Sequence, residues 1–88
     1  MNETTAPTRD LPPELSLAEA AVRTPLTLRR SEGAPEFCRR LSALGLRQGA
    51  RLTVVQRTIG GGRIVAVAGA RIALDRGVLA RLFVESAG

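Results

Sequence analysis

Four groups of residues in this chain are of types that do chemistry: Cys38, the pair Glu32 and Glu36, the run Gly60-Gly61-Gly62-Arg63, and a set of 13 basic residues that are all arginine. Cys38 is the single cysteine. A lone thiol closes no internal disulfide and cannot supply a zinc or iron-sulfur site built from several thiolates. It falls on the apolar side of a predicted helix, where a free cysteine packs as a small hydrophobe. Glu32 and Glu36 could share a cation, but two carboxylates without further ligands hold one poorly, and acids at a helix start are explained by the macrodipole. No metal site and no cofactor is expected. The glycine run with Arg63 could cradle a phosphate through backbone amides. It matches neither G-x-G-x-x-G nor a phosphate loop with lysine, so it reads as a hairpin turn.

The chain has no lysine and no histidine. That removes Schiff-base chemistry, the usual general base, the usual metal ligand and the usual switch near neutral pH. No hydroxyl stands in a nucleophile-elbow pattern. We therefore expect a binding protein rather than an enzyme. The formal net charge of +5 raises nucleic acid as a partner. Modules of that kind interleave basic residues with stacking rings, and here Phe37 and Phe83 are the only aromatics and both lie in apolar patterns. Nucleic-acid binding is accordingly not the favoured reading.

At 88 residues, with 44% hydrophobic and 24% charged side chains, the chain is sized and composed for one globular domain. Residues 1–14, rich in proline and polar groups, read as a disordered tail, and 15–88 as the folded domain. The tail sets Arg9 against Glu3, Asp10 and Glu14, so the remainder keeps 12 of the 13 basic residues and 5 of the 8 acidic ones, a net +7. The start has no secretory pattern. The longest apolar stretch, Ile64 to Ala70, is far short of the ~20 residues that cross a bilayer. A soluble cytoplasmic protein in a reducing compartment, without membrane insertion, is expected.

The elements follow from pattern. Ser16 with Glu19 three residues on reads as a capping box opening a short helix, 17–20. Residues 25–29 alternate as a strand. Pro35 opens a helix whose apolar stripe is Phe37, Cys38, Leu41 and Leu44, ended by Gly45. Strands are predicted over 51–57 and 63–68, joined by the glycine hairpin, then over 71–74. Asp75 caps one helical turn through Leu79, and 82–84 forms the last strand. Five short strands with one or two short helices inserted make a mainly β fold, a small strongly bent sheet closed into a barrel.

Residues 40–49, Arg-Leu-Ser-Ala-Leu-Gly-Leu-Arg-Gln-Gly, followed by Gly60-Gly61-Gly62 and by Val67-Ala68-Gly69-Ala70-Arg71-Ile72-Ala73-Leu74, resemble the FeoA family, ferrous iron transport protein A. The resemblance runs from about Leu15 to Glu85. Its most specific parts are R-L-x-x-L-G-L-x-x-G and I-A-L. The sequence departs from the family at Gln48 and Ile59, where proline is common, at Arg23, where glycine is common, and at Arg63, often proline. What the resemblance implies is an SH3-like barrel in a bacterial cytoplasmic protein that assists the membrane GTPase transporter of ferrous iron, FeoB, by protein-protein interaction. Two alternatives stand beside it: a stand-alone relative of the SH3-like domain of metal-dependent transcriptional repressors, and a small basic RNA-binding barrel.

The alternation of the two central strands also nominates a surface. If Leu52 and Val54 face inward opposite Val65 and Val67, then Val55 and Ile64 face outward and Ile59 stands at the hairpin tip. With Leu46 beside them, these four residues, Leu46, Val55, Ile59 and Ile64, form the candidate contact for the transporter or for a second copy of the chain. The alternative is that the segment from Leu11 to Leu17 folds over Val55, Ile59 and Ile64.

Overall fold

The computed structural model describes residues 14–87. Their strands form one antiparallel sheet: β1 (Leu15–Ser16), β2 (Leu26–Ser31), β3 (Arg51–Arg57), β4 (Arg63–Val67), β5 (Ala70–Leu74) and β6 (Leu82–Ser86), in the spatial order β1-β6-β2-β3-β4-β5. Helix α1 (Pro35–Ala43) fills the connection from β2 to β3, and one turn, α2 (Arg76–Leu79), that from β5 to β6. This is the mainly β, SH3-like arrangement expected from sequence, with six strands instead of five. The ladder has two ends, β1 and β5, so the hydrogen bonding does not close into a ring.

Strong bending nevertheless gathers one core. Strand β2 pairs with β3 only through Leu26 and Thr27, but with β6 along its whole length, from Leu26 to Ser31, across a register shift between Leu28 and Arg30. Such a bulge increases local bend and twist. Leu26 and Leu28, Leu52 and Val54, Val65 and Val67, Leu82 and Val84 then meet in a single buried cluster with Leu41, Leu74 and Leu79. Their alternation along each strand is the period of two that a half-buried sheet requires.

Strand β3 coincides with its predicted span and α1 starts at the predicted proline. Asp75 caps α2, its Oδ1 accepting from the Val78 N–H at 2.9 Å. The helix expected over 17–20 does not form. Ser16 belongs to β1 opposite Phe83, and the Leu17 N–H donates to the Leu82 carbonyl at 2.7 Å, so the backbone that would begin a helix is held by the sheet. Leu17 and Ala20 are buried and pin the resulting turn against the core. Apart from Glu14, the predicted tail lies outside the described residues, as does Leu11 of the covering segment.

Candidate partner-binding surface

The β3–β4 hairpin is built so that its two faces differ. Leu52 and Val54 pair with Val67 and Val65 on the core face. Beyond Val54 the register shifts, with Gln56 opposite Ile64, which leaves Val55 as the extra residue of a bulge. Val55 and Ile64 are half-buried and lie outside the core cluster. Ile64 has Gln56 and Ala73 as its cross-strand neighbours, making a short apolar row on the outer face that reaches the edge strand β5.

At the tip the Thr58 N–H donates to the Gly62 carbonyl at 2.9 Å around a single 3-10 turn, Ile59–Gly61. Gly60 and Gly61 have φ of +84° and +88°, a conformation glycine adopts at low cost. Ile59 is 102% exposed, touching nothing that would hide its side chain. A fully solvated isoleucine on a rigid turn is the most conspicuous apolar group of the described surface.

Leu46 is not part of that surface. It is 1% exposed and belongs to the core. The reason is the end of α1. Leu44 is the C-cap, Gly45 has φ +98°, the Gly45 N–H donates to Ser42 O and the Leu46 N–H to Leu41 O, the pair of bonds that defines a Schellman motif. Its reversal throws Leu46 inward against Leu41 and leaves Leu44 about half exposed.

The other candidate residues do not converge. Cys38 is half-buried and accepts a hydrogen bond from the Ser31 hydroxyl at 3.3 Å. Glu32 pairs with Arg30, not with Glu36. That pairing raises the Arg30 pKa above its ordinary value, with desolvation opposing it and Glu14 adding to it, and the guanidinium stacks 4.1 Å from the centre of the Phe83 ring. Among the described residues no three His, Cys, Asp or Glu side chains gather as metal ligands, and no helix is long and apolar enough to span a membrane.

A model of the FeoA domain matches residues 15–86. The chain belongs to the FeoA family. Solved structures agree in fold. An iron uptake regulatory protein described as FeoA superposes with a TM-score of 0.75 at 25% identity, over 83% of this chain and 97% of that one. The FeoA protein of Chlorobium tepidum gives 0.76 at 24% identity, over 84% and 71%. A manganese-dependent transcriptional repressor gives 0.77 at 24% identity over 86% of this chain, which spans only 43% of the repressor. No curated protein sequence matches significantly.

One departure from the family pattern has a direct conformational reading. Arg23, where the resemblance has glycine, takes φ +65°, the left-handed region glycine enters freely. Its N–H donates to Val54 O at 2.7 Å, which ties the β1–β2 connection to β3.

Proposed function

We propose that this FeoA-family protein is a cytoplasmic accessory of bacterial ferrous iron uptake, acting without catalysis by docking its β3–β4 hairpin on the membrane transporter FeoB. The observation that carries the surface is Ile59, wholly exposed on a turn whose glycines leave it no neighbour to pack against. Val55 in the bulge and Ile64 on the outer face extend the contact toward β5. Apolar anchors that are rigid before binding lose little entropy on docking, which is what a small recognition module needs.

Affinity capture from membranes of the native host tests the reading. Wild-type protein should recover FeoB, and Ile59→Ser should recover far less while melting like wild type, since the side chain makes no intramolecular contact. Val55→Thr with Ile64→Thr keeps strand propensity and should act in the same direction. Unchanged recovery with the fold intact places the interface elsewhere. Dimers in solution that Ile59→Ser dissociates would instead assign the hairpin to a second copy of the chain.

The fold-level likeness to a manganese-dependent repressor favours one second reading, a detached relative of such a regulator's SH3-like domain. Recovery of a DNA-binding regulator in place of FeoB would select it; recovery of RNA-associated proteins would select the RNA-binding barrel.

A further inference from the structure

Arg63 is the one charged residue buried among the described residues, at 8% exposure. Its Nη1 donates to the Ala20 carbonyl at 2.5 Å, and no described carboxylate lies within ion-pair distance. Burying a guanidinium beside a neutral carbonyl, with no counter-charge, is costly. The neighbours add to that cost. Arg57 is its direct cross-strand partner, a juxtaposition of like charges that destabilises a sheet.

A third arginine completes the group. The stem of Arg76 crosses the glycine turn so closely that a Cβ on Gly61 would meet its Cδ at 2.5 Å. Arg57, Arg63 and Arg76, with Thr58, Gly61 and Gly62, line a cleft of about 210 Å³ that contains no carboxylate. Asp75 is engaged at the α2 N-cap and borders the neighbouring cleft instead.

We propose that this cleft binds a tetrahedral oxyanion of the phosphate class, with Arg63 at its floor and Arg57 and Arg76 at its rim. The bound anion neutralises the mutual repulsion of Arg57 and Arg63, and guanidinium-to-oxyanion hydrogen bonds are short, strong and geometrically selective. Burial and the Arg57 charge both lower the Arg63 pKa from its ordinary value, the direction expected of a cation that lacks its counter-ion. At ~30 Å³ per water the cleft has room for about seven waters, enough for a phosphate group with bridging solvent. The ligand is therefore a phosphate end, whether free, on a nucleotide or on a lipid headgroup.

The test uses the full chain and inorganic phosphate, titrated calorimetrically and in thermal melts against sodium chloride at matched ionic strength. Saturable binding should appear with phosphate alone, together with a rise in Tm. Arg57→Gln and Arg76→Gln should each weaken binding at least tenfold and leave the chloride Tm unchanged or higher, because both positions are exposed and Arg57 faces the like charge of Arg63. Arg63→Met should abolish binding where it folds; the two rim variants decide the matter where it does not. Guanosine monophosphate and vesicles of phosphatidic acid, each set against phosphate, identify the source, and preference for either supports the site. Absence of binding by all three probes, or phosphate binding that both rim variants retain, overturns the proposal.

Discussion

Replacing Gly45 by alanine probes the junction that decides which leucine is core and which is surface. Two costs follow from the structure. The residue sits at φ +98°, where an L side chain is strained by roughly 1–2 kcal/mol. A Cβ built there would also lie 2.8 Å from the Cβ of Ala68 and 3.7 Å from Val67 Cγ2. Carbon atoms pack at about 3.5–4.0 Å, so something must move by most of an ångström. Ala68 cannot yield easily: with Gly69 it forms the two-residue β4–β5 turn, both at positive φ, and Val67 beside it is core. Overpacking of this kind costs about 1–3 kcal/mol.

Together the two effects predict a loss of about 2–5 kcal/mol, which for a domain of this size lowers Tm by roughly 10–40 °C. Gly45→Val should lose more. The chain has no tryptophan or tyrosine, so far-ultraviolet circular dichroism with heat and urea is the suitable assay. Ala68→Gly alone should be neutral or slightly stabilising, because glycine accepts φ +52° more readily than alanine. In the double variant the methyl contact disappears while the strain at position 45 remains. The cycle should therefore return about 1–2 kcal/mol of coupling and no more. Gly45→Ala melting within 2 °C of wild type would refute the reasoning, and a large loss with no coupling to Ala68 would assign all of it to the backbone.

Leu46→Ala should cost about 2–5 kcal/mol in urea unfolding, as core truncations do, whereas Leu44→Ala should stay within about 0.5 kcal/mol. Equal effects would contradict the Schellman geometry. Asp75→Ala, which removes the cap on the Val78 N–H, should cost about 1 kcal/mol by the same measurement. Purified protein should hydrolyse no GTP and take up no stoichiometric ferrous iron in anaerobic equilibrium dialysis; iron retained by wild type and lost in Cys38→Ser would contradict this.

Strand β3 was readable residue for residue because Leu52 and Val54 alternate with polar neighbours over a full strand length, and burial on one face needs nothing else. Strand β1 was not readable. It is two residues long, contributes no side chain to the core cluster and is held by its backbone pairing to β6, a partner some 70 positions away that no local pattern announces. The capping box at Ser16 and Glu19 does not open a helix because the Leu17 N–H is taken by Leu82 of β6, while the Glu19 N–H closes a single turn on the Ser16 backbone carbonyl. Leu44 and Leu46 exchanged roles because helical periodicity was carried one residue past the true end of α1. The left-handed Gly45 is expected from sequence, but it is the bond from the Leu46 N–H back to the Leu41 carbonyl that turns Leu46 inside.

The hairpin surface was partly legible: parity put Val55 and Ile64 outside the core, and the glycine run put Ile59 at the tip. The same parity applied one step further reaches Arg63. It shares a face with Val65 and Val67, both buried, so an arginine was written at an inward position of an otherwise apolar strand. Local rules are most often broken where a function is served. Position 63 is such a break; the sequence singles out Arg63 beside the glycine run as a phosphate-cradle candidate, and the hairpin reading sets it aside because the run matches no phosphate-loop motif.

The turn that joins β3 to β4 thus has two sides with different chemistry. Ile59 and Gly60 border one shallow cleft with Ala73, Leu74 and Asp75, and Arg57 and Arg63 border the other with Ala18. Gly61 and Gly62 stand between them without side chains, and a Cβ on Gly62 would meet Thr58 Oγ1 at 2.6 Å and the Leu74 carbonyl at 3.0 Å. The two sides are therefore fixed relative to one another by backbone that has no room to repack. Rigid, separately lined surfaces perturb additively when no side chain is shared. Thr58 and Arg76 touch both clefts, so only variants that spare them can separate the apolar contact from the anion site. Ile59→Ser combined with Arg57→Gln meets that condition, and its effects on partner capture and on phosphate binding should each equal those of the single variants.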